Sequence, residues 1–550
     1  MIGVISKSRQ HPIVEEFFQL FKVPWEFYKH GQNYDIVIAT DDTIALPSGK
    51  LVVIFSPETT TFDKNRTNTY LHTGGVILEH KNLQFPVYTN LATFQSENSF
   101  MKTKDRKESV GFVSLQQNQK ILRIGYDLFD EIEFLLSRGQ PVEYAQIPTV
   151  EIHISMLRDW ILQSNISFVE IPPVPNGYSG IACLTHDVDF IDIRSHKFDR
   201  SVIGFALRAL FPRFNGNSRS DITWPKILKN WKALLSLPGV YLGLFRDFWF
   251  DIDRYSGIEK GMGSTFFFIP FKNNSGDVTK NNPPRYRAAR YDINKYKNVI
   301  KDLIKNGHEI GLHGIDAWHD HEKGQKELDV IRQITSDKET GVRMHWLYFH
   351  EDSPKTLEKT GFFYDSTLGY NNAVGFRAGT TQVFCLPGAS NMLELPLTVM
   401  DTALFYRSRM GVSEAEALMM CKKLMNDIRT YGGVFTTNWH TRSLSPERNW
   451  DDFYIELLRI LKAENVWFAT AKQAVNWFKM RRSIRFDDIN FSKNKMHIKL
   501  SSDNNSGLPS LVFRLHTPQN NSLRSEHSNS IKSFIDIPWA GKPEIEATLQ

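Results

Sequence analysis

The chain is poor in three things. It has three cysteines in 550 residues, Cys183, Cys385 and Cys421, far apart and in no Cys-x-x-Cys pair. That excludes a disulfide framework and a thiolate zinc site. It has no long hydrophobic run free of charge: the best candidate, 231–250, carries Lys232, Arg246, Asp247 and a central Pro238. A lipid-spanning helix rarely holds such residues unpaired, so a packed or surface-associated amphipathic segment is expected. And it has little excess charge, a formal +5, too balanced over this length to imply a nucleic-acid or anionic-membrane partner. With 41% apolar and 23% charged residues, neither a disordered nor a fibrous chain fits. The start, Met1-Ile-Gly-Val-Ile-Ser-Lys, lacks a basic stretch followed by an apolar run and a small-residue cleavage site, so a cytoplasmic location is expected.

Three unequal parts are expected. Residues 1–170 alternate short apolar runs, Tyr34-Asp-Ile-Val-Ile-Ala-Thr and Leu51-Val-Val-Ile-Phe, with helical stripes over 126–138 and 151–163. This is the pattern of a small α/β domain. The extended linker Ile171-Pro-Pro-Val-Pro-Asn-Gly closes it. From 178 to 482, strand and helix signals repeat. The helix over 292–306 is the clearest, and that over 413–430 opens on the capping box Ser413-x-x-Glu416. Repeated β–α units of this number predict a parallel (β/α) barrel of about seven strands. Residues 190–264 are far too many for one connection and read as an insertion beside the site. The last part, 485–550, reads as a β-rich appendage with a polar tail.

Polar residues collect at the strand ends, where an α/β barrel keeps its reactive groups. The first strand ends Thr185-His-Asp187-Val-Asp189, with two carboxylates facing the same way. One can bind a divalent cation while the other stays free as a base. The third ends His308-Glu-Ile-Gly-Leu-His313-Gly-Ile-Asp316-Ala-Trp-His319-Asp-His321, a density of histidine and aspartate that suits a metal. His313 and Asp316 share a face if a helix starts there, His319 requires the loop to fold back, and His321 faces solvent. Arg343, in Gly341-Val-Arg-Met-His-Trp, would orient a carboxylate and lower its pKa. Asn438-Trp439-His440 ends the seventh strand, and a histidine there suits a general acid for a leaving amine. Asp365, Arg377 and Trp439 are the candidate substrate-binding residues.

This series resembles the polysaccharide deacetylase family, the chito-oligosaccharide deacetylase homology domain of carbohydrate esterase family 4, over about 180–480. Thr185-His-Asp187-Val-Asp189 is similar to its first motif, and Gly307-His-Glu-Ile-Gly-Leu-His313 matches the lead-in of its second. The resemblance implies Asp187 as base, Asp189 and His313 as metal ligands, Arg343 as the third motif's arginine and His440 as acid. The second motif's further histidine is replaced by Ala317, which leaves the third ligand open between Asp316 and His319. Asp365 and Asp401 are both open as the partner of His440. The activity implied is metal-dependent deacetylation of an N-acetylated sugar, with zinc as the expected metal and a carbohydrate as partner. Membrane association is permitted but not required. Two other readings use the same residues: hydrolysis of a non-sugar C–N bond, and a glycan-binding protein that has lost the metal.

Overall fold

The computed structural model describes residues 1–42, 47–64, 66–116, 119–197, 199–211, 223–249, 251–277, 285–492, 495–502, 507–518, 534–539 and 541–548. The N-terminal region is built on an eleven-stranded mixed sheet. Its parallel half contains the buried runs Ile2–Ile5, Ile36–Ala39 and Leu51–Phe55, the last two at the positions that the apolar runs predict. Its antiparallel half, from Thr69 to Gln116, is not evident from the sequence pattern. The helices His11–Leu20, Leu128–Ser137 and Thr149–Gln163 supply apolar stripes to one core with this sheet.

The second region holds the site. Its sheet has ten strands: β1 Ile181–Val188, β2 Ser264–Phe268, β3 Glu309–Gly314, β4 Val342–Met344, β5 Tyr364–Asp365, β6 Phe384–Cys385, β7 Leu393–Glu394, β8 Val399–Met400, β9 Val434–Asn438 and β10 Trp467–Phe468. The spatial order is β6-β7-β5-β4-β3-β2-β1-β9-β8, with β10 also on β1, and every pairing but β6–β7 is parallel. β1 to β3 are buried along their whole length, as strands covered on both faces must be. The sheet curls, because residues following β8, β9, β1 and β4 converge on one cavity. Among the described residues β6 and β8 do not pair with each other, so this is a curled half-barrel and not a closed one. Five of its strands are two residues long, too short to show a period in sequence.

The predicted helix over 413–430 is Glu414–Tyr431, with the Ser413–Glu416 capping box formed. That over 292–306 begins as a 3₁₀ turn, Ile293–Tyr296, before Lys297–Lys305. The segment between β1 and β2 contains two long helices, α1 Arg200–Leu210 and α2 Trp224–Tyr241, which share a small apolar core with Ile193 and Trp249. The C-terminal strands form two three-stranded sheets; one takes in Phe168–Glu170 beside Val512–His516, tying the chain's end to the linker.

Candidate active site

Alternation along β1 decides what its motif does. Thr185 and Asp187 point to one side and His186 to the other. His186 is buried against Glu259 at 2.9 Å and the Trp439 carbonyl at 2.8 Å, so it is structural. Asp187 meets Arg343, which β4 supplies in register with His313 of β3. Arg343 is fully buried. Its Nη1 donates to Asp187 Oδ1 at 3.1 Å and to Thr185 Oγ1 at 2.6 Å; its Nε donates to the Ser366 carbonyl and its Nη2 to Ser366 Oγ. The guanidinium lies 4.6 Å above the Phe267 ring. Phe267 can lie there because residue 311 is glycine: a Cβ on Gly311 would sit 2.5 Å from that ring. Asn438 Nδ2 donates to Asp187 Oδ2 at 2.6 Å. Burial alone would raise the Asp187 pKa, but the charge of His313, when that ring is protonated, and of Arg343 holds it below the ordinary carboxylate value.

Asp189, His313 and His345 bring three ligand atoms within 4.8 Å of one another. Asp189 Oδ1 lies 3.2 Å from His313 Nε2 and 3.4 Å from His345 Nδ1, and those two nitrogens are 2.9 Å apart. Each ring's other nitrogen faces a backbone carbonyl: His313 Nδ1 faces that of Arg343 at 2.9 Å, and His345 Nε2 that of Arg287 at 3.1 Å. A carbonyl only accepts, so those nitrogens carry the protons. In the neutral rings the inward nitrogens then present lone pairs to one another and to a carboxylate. Asp189 Oδ1 is buried and accepts no hydrogen bond. Three convergent lone pairs with no donor among them call for a cation, and two imidazoles with one carboxylate are a zinc-type donor set, each ring already oriented by a backbone carbonyl.

His440 closes the other side. Its Nδ1 is 2.7 Å from Asp401 Oδ1, and its backbone N–H donates to Asp401 Oδ2 at 2.7 Å. Ser443 Oγ donates to the same oxygen. The free Nε2 looks toward Asp189 Oδ2 at 3.8 Å. Burial would lower the His440 pKa, but the negative charge of Asp401, then of Asp189 and Asp187, raises it to about 10. A cation held at Asp189 would offset part of that charge and bring the value down.

The remaining sequence candidates lie elsewhere. Neither Asp316 nor His319 is in the ligand cluster; they pair with each other at 3.4 Å. The reason is local. The N–H groups of Ile315 and Asp316 donate to the Glu327 carboxylate, and no helix starts until His321 behind its Asp320 cap. The residue that joins Asp189 and His313 in the cluster is instead His345, two residues beyond Arg343. The Arg-x-His spacing at a strand end, with both side chains on one face, is the signal that points to it. Just past it, Trp346 and Leu347 have φ of 64° and 54°. Such strained backbone costs about 1 kcal/mol or more per residue and collects at functional sites. Trp439 is wholly buried and stacks on Phe453 and Tyr454, so it is core. Arg377 donates to the Gly369 carbonyl, away from the cavity. Asp365 is buried behind Arg343, beside Glu394, with its carboxylate bound by Thr367. Burial pushes it up to about 6. The partner of His440 is Asp401. The cavity, of about 330 Å³, has Asp189, His345 and His440 in its wall with the rings of Phe190, Tyr286, Trp346 and Tyr406.

No family model matches the chain. In sequence it is similar to the peptidoglycan deacetylase of Helicobacter pylori, 26% identical over 98 residues, which cover 16% of this chain and 33% of that protein. The chain thus spans about a third of the length of the curated relative it matches. Among solved structures, a Mycobacterium smegmatis protein provisionally described as a polysaccharide deacetylase aligns over 56% of this chain and 94% of its own, at 20% identity and a TM-score of 0.35. Agd3, described as a novel carbohydrate deacetylase, aligns over 100% of this chain and 98% of its own, at 8% identity and a TM-score of 0.38. The resemblance of this chain to polysaccharide deacetylases stands on its motifs and on the sequence match.

Proposed function

We propose that this chain is a metal-dependent hydrolase that removes the acetyl group from an N-acetylated sugar in a polysaccharide, oligosaccharide or glycan precursor. The observation that carries this reading is the convergence, at neighbouring strand ends, of an ionised carboxylate, Asp187, a ligand trio, Asp189, His313 and His345, and an aspartate-backed imidazole, His440, with Asp189, His345 and His440 in the cavity wall.

Asp189, His313 and His345 would hold the cation, zinc by their donor types. Bound there, it supplies Lewis-acid polarisation of a carbonyl and acidifies a water. Asp187 is the base. Arg343 and Asn438 keep it ionised and fix its orientation, so it can take a proton from the water that attacks the acetyl carbon. His440 is the acid. Asp401 holds its Nδ1 proton and leaves Nε2–H turned into the cavity, ready for the nitrogen that departs. A carbon–oxygen bond forms and the carbon–nitrogen bond breaks. One proton passes to Asp187, another leaves His440, and acetate and a free amine remain. Tyr286 and Trp346, with ring centroids 5.7 Å apart, offer apolar faces of the kind on which sugar rings stack.

The test is acetate release from N-acetylated amino-sugar oligomers by metal-loaded protein, beside a panel of small non-sugar amides. The expected result is activity on the oligomers that is lost in Asp187→Asn and on chelation. Unchanged activity in Asp187→Asn would overturn the mechanism, and turnover of the small amides alone would overturn the substrate. We further propose a cytoplasmic location, which directs this chemistry to a glycan precursor; recovery of the protein chiefly outside the cytoplasm on fractionation would remove that.

A further inference from the structure

The insertion between β1 and β2 leaves an apolar face uncovered. On α1 the side chains of Val202, Phe205 and Ala209 are buried, while Ile203, Leu207 and Leu210, at i, i+4 and i+7, are exposed. On α2 the same split recurs. Ala233 and Val240 are buried, and Trp224, Leu228, Trp231 and Leu235 form an exposed stripe at i, i+4, i+7 and i+11. Trp224 is 72% exposed and Leu235 80%. Leu242, Leu244 and Phe245 extend the apolar surface past the end of α2. The two helices meet at Trp231, whose Nε1 donates to the Ala209 carbonyl next to Leu210. Half of the exposed large apolar side chains of the described chain fall in this one segment. A water-soluble surface does not gather them so without a partner.

The charge says which partner. Residues 200–246 contain eight basic residues and one acidic, in a chain whose total is +5, so the rest of the chain is net acidic. Several of these cations fasten the insertion down: Arg208 to Glu447, Lys226 to Glu414, Lys229 to Asp451. Yet Glu447 is shared with Arg442 and Arg448, and Asp451 with Arg254, so the neighbourhood stays cationic. Exposed Arg200 and Lys232 add to it. Aromatic and leucine stripes flanked by lysine and arginine fit the headgroup boundary of an anionic bilayer. Among the described residues no helix is long and apolar enough to cross a membrane, so contact would be in the interface plane.

We propose that the outer face of α1 and α2 docks on an anionic lipid bilayer. The insertion adjoins the site through its buried side. Trp249, from the insertion's core, lies 4.1 Å under the guanidinium of Arg442, and Arg442 and Phe190 both line the cavity. Docking of the outer face would hold the cavity within the insertion's thickness of the bilayer, near a lipid-carried glycan. That last step rests on the hydrolase reading; docking itself does not.

The test is co-sedimentation of the full chain with vesicles of phosphatidylcholine alone and of phosphatidylcholine with phosphatidylglycerol. The expected result is pelleting with the anionic vesicles, weakened by salt. It falls roughly tenfold or more in Leu207→Glu/Leu235→Glu and roughly fivefold in Lys232→Glu. Circular dichroism and acetate release from soluble oligomers stay unchanged, because these side chains already face water. No pelleting, equal pelleting of wild type and the double variant, or equal pelleting with both vesicle types would overturn docking. So would a dimer in light scattering that the double variant dissociates, since a second copy would then cover the face. Loss of acetate release with docking intact would overturn the hydrolase reading alone.

Discussion

The Arg343 guanidinium and the Asp187 carboxylate form an ion pair with Nη1 3.1 Å from Oδ1, the arginine wholly buried and the carboxylate nearly so. Every other donor of Arg343 that has a partner is turned to Thr185 or Ser366, so the arginine is held on both sides and cannot follow a substrate. Its work is to position the base. Replacing it with methionine strands a buried carboxylate, which costs about 3–5 kcal/mol. We expect Arg343→Met to lose most of its margin against urea, and Arg343→Lys to fold but lose at least about a hundredfold in kcat with little change in KM, because one ammonium cannot replace the guanidinium fork. A wild-type kcat in Arg343→Lys would remove the positioning role.

His345 and Asp316 compete for the third ligand place, and the structure favours His345. We expect His345→Ala to lose zinc affinity by about a hundredfold or more in equilibrium dialysis. Asp316→Ala and His319→Ala should bind zinc as the wild type does. Loss in Asp316→Ala with retention in His345→Ala would reverse the assignment.

Much of this site is legible in sequence because two periods expose it. Extended residues two apart share a face, so Asp187 and Asp189 can be read together without coordinates. Strand ends in a parallel sheet lie at one edge, so His313, Arg343 and His440 can be gathered from distant stretches. His345 is not evident for a different reason. Helical spacing makes Asp316 look like a neighbour of His313, but the backbone there is captured by Glu327, a residue of the following helix. Tertiary hydrogen bonds of that kind leave no local pattern. Trp439 misleads similarly: an aromatic beside a catalytic histidine looks like a sugar platform, yet alternation along the strand turns it into the core. The antiparallel half of the first sheet is invisible because strands such as Thr69–His72, Val76–His80 and Ser99–Thr103 are only partly buried and keep no strict period.

Asp401 follows β8 and His440 follows β9, adjacent parallel strands, so their pairing is built into the sheet. The aspartate carries no charge to the substrate; it fixes which ring nitrogen faces the cavity. Asp401→Asn should lower kcat by roughly 10²–10⁴-fold with KM nearly constant, because the amide can present a donor to Nδ1 and favour the wrong tautomer. Asp365→Asn should change kcat by no more than a few-fold. Equal losses in the two variants would show that either effect is a general loss of packing, and a denaturation midpoint measured for each would identify it.

His153 lies far from the site and gives the chain an acid limit. It sits inside the helix Thr149–Gln163, wholly enclosed between the rings of Phe85 and Tyr126, with Nδ1 2.7 Å from the Thr149 carbonyl. Burial pushes its pKa from 6.5 down to about 4. The unfolded chain therefore takes up this proton at a higher pH than the folded one. Above pH 6.5 neither form is protonated and the folded state keeps its full margin. As pH falls from 6.5 toward 4, stability is lost, reaching roughly 3 kcal/mol from this one ring. His153→Gln removes the titration and retains a donor for the Thr149 carbonyl. The gap in unfolding free energy between wild type and variant should thus shift in the variant's favour by roughly that amount between pH 7 and pH 4. Taking the difference cancels the titration of every other group common to both proteins. A gap that stays constant across that range would mean that His153 reaches solvent in the folded state, which its enclosure between two rings forbids.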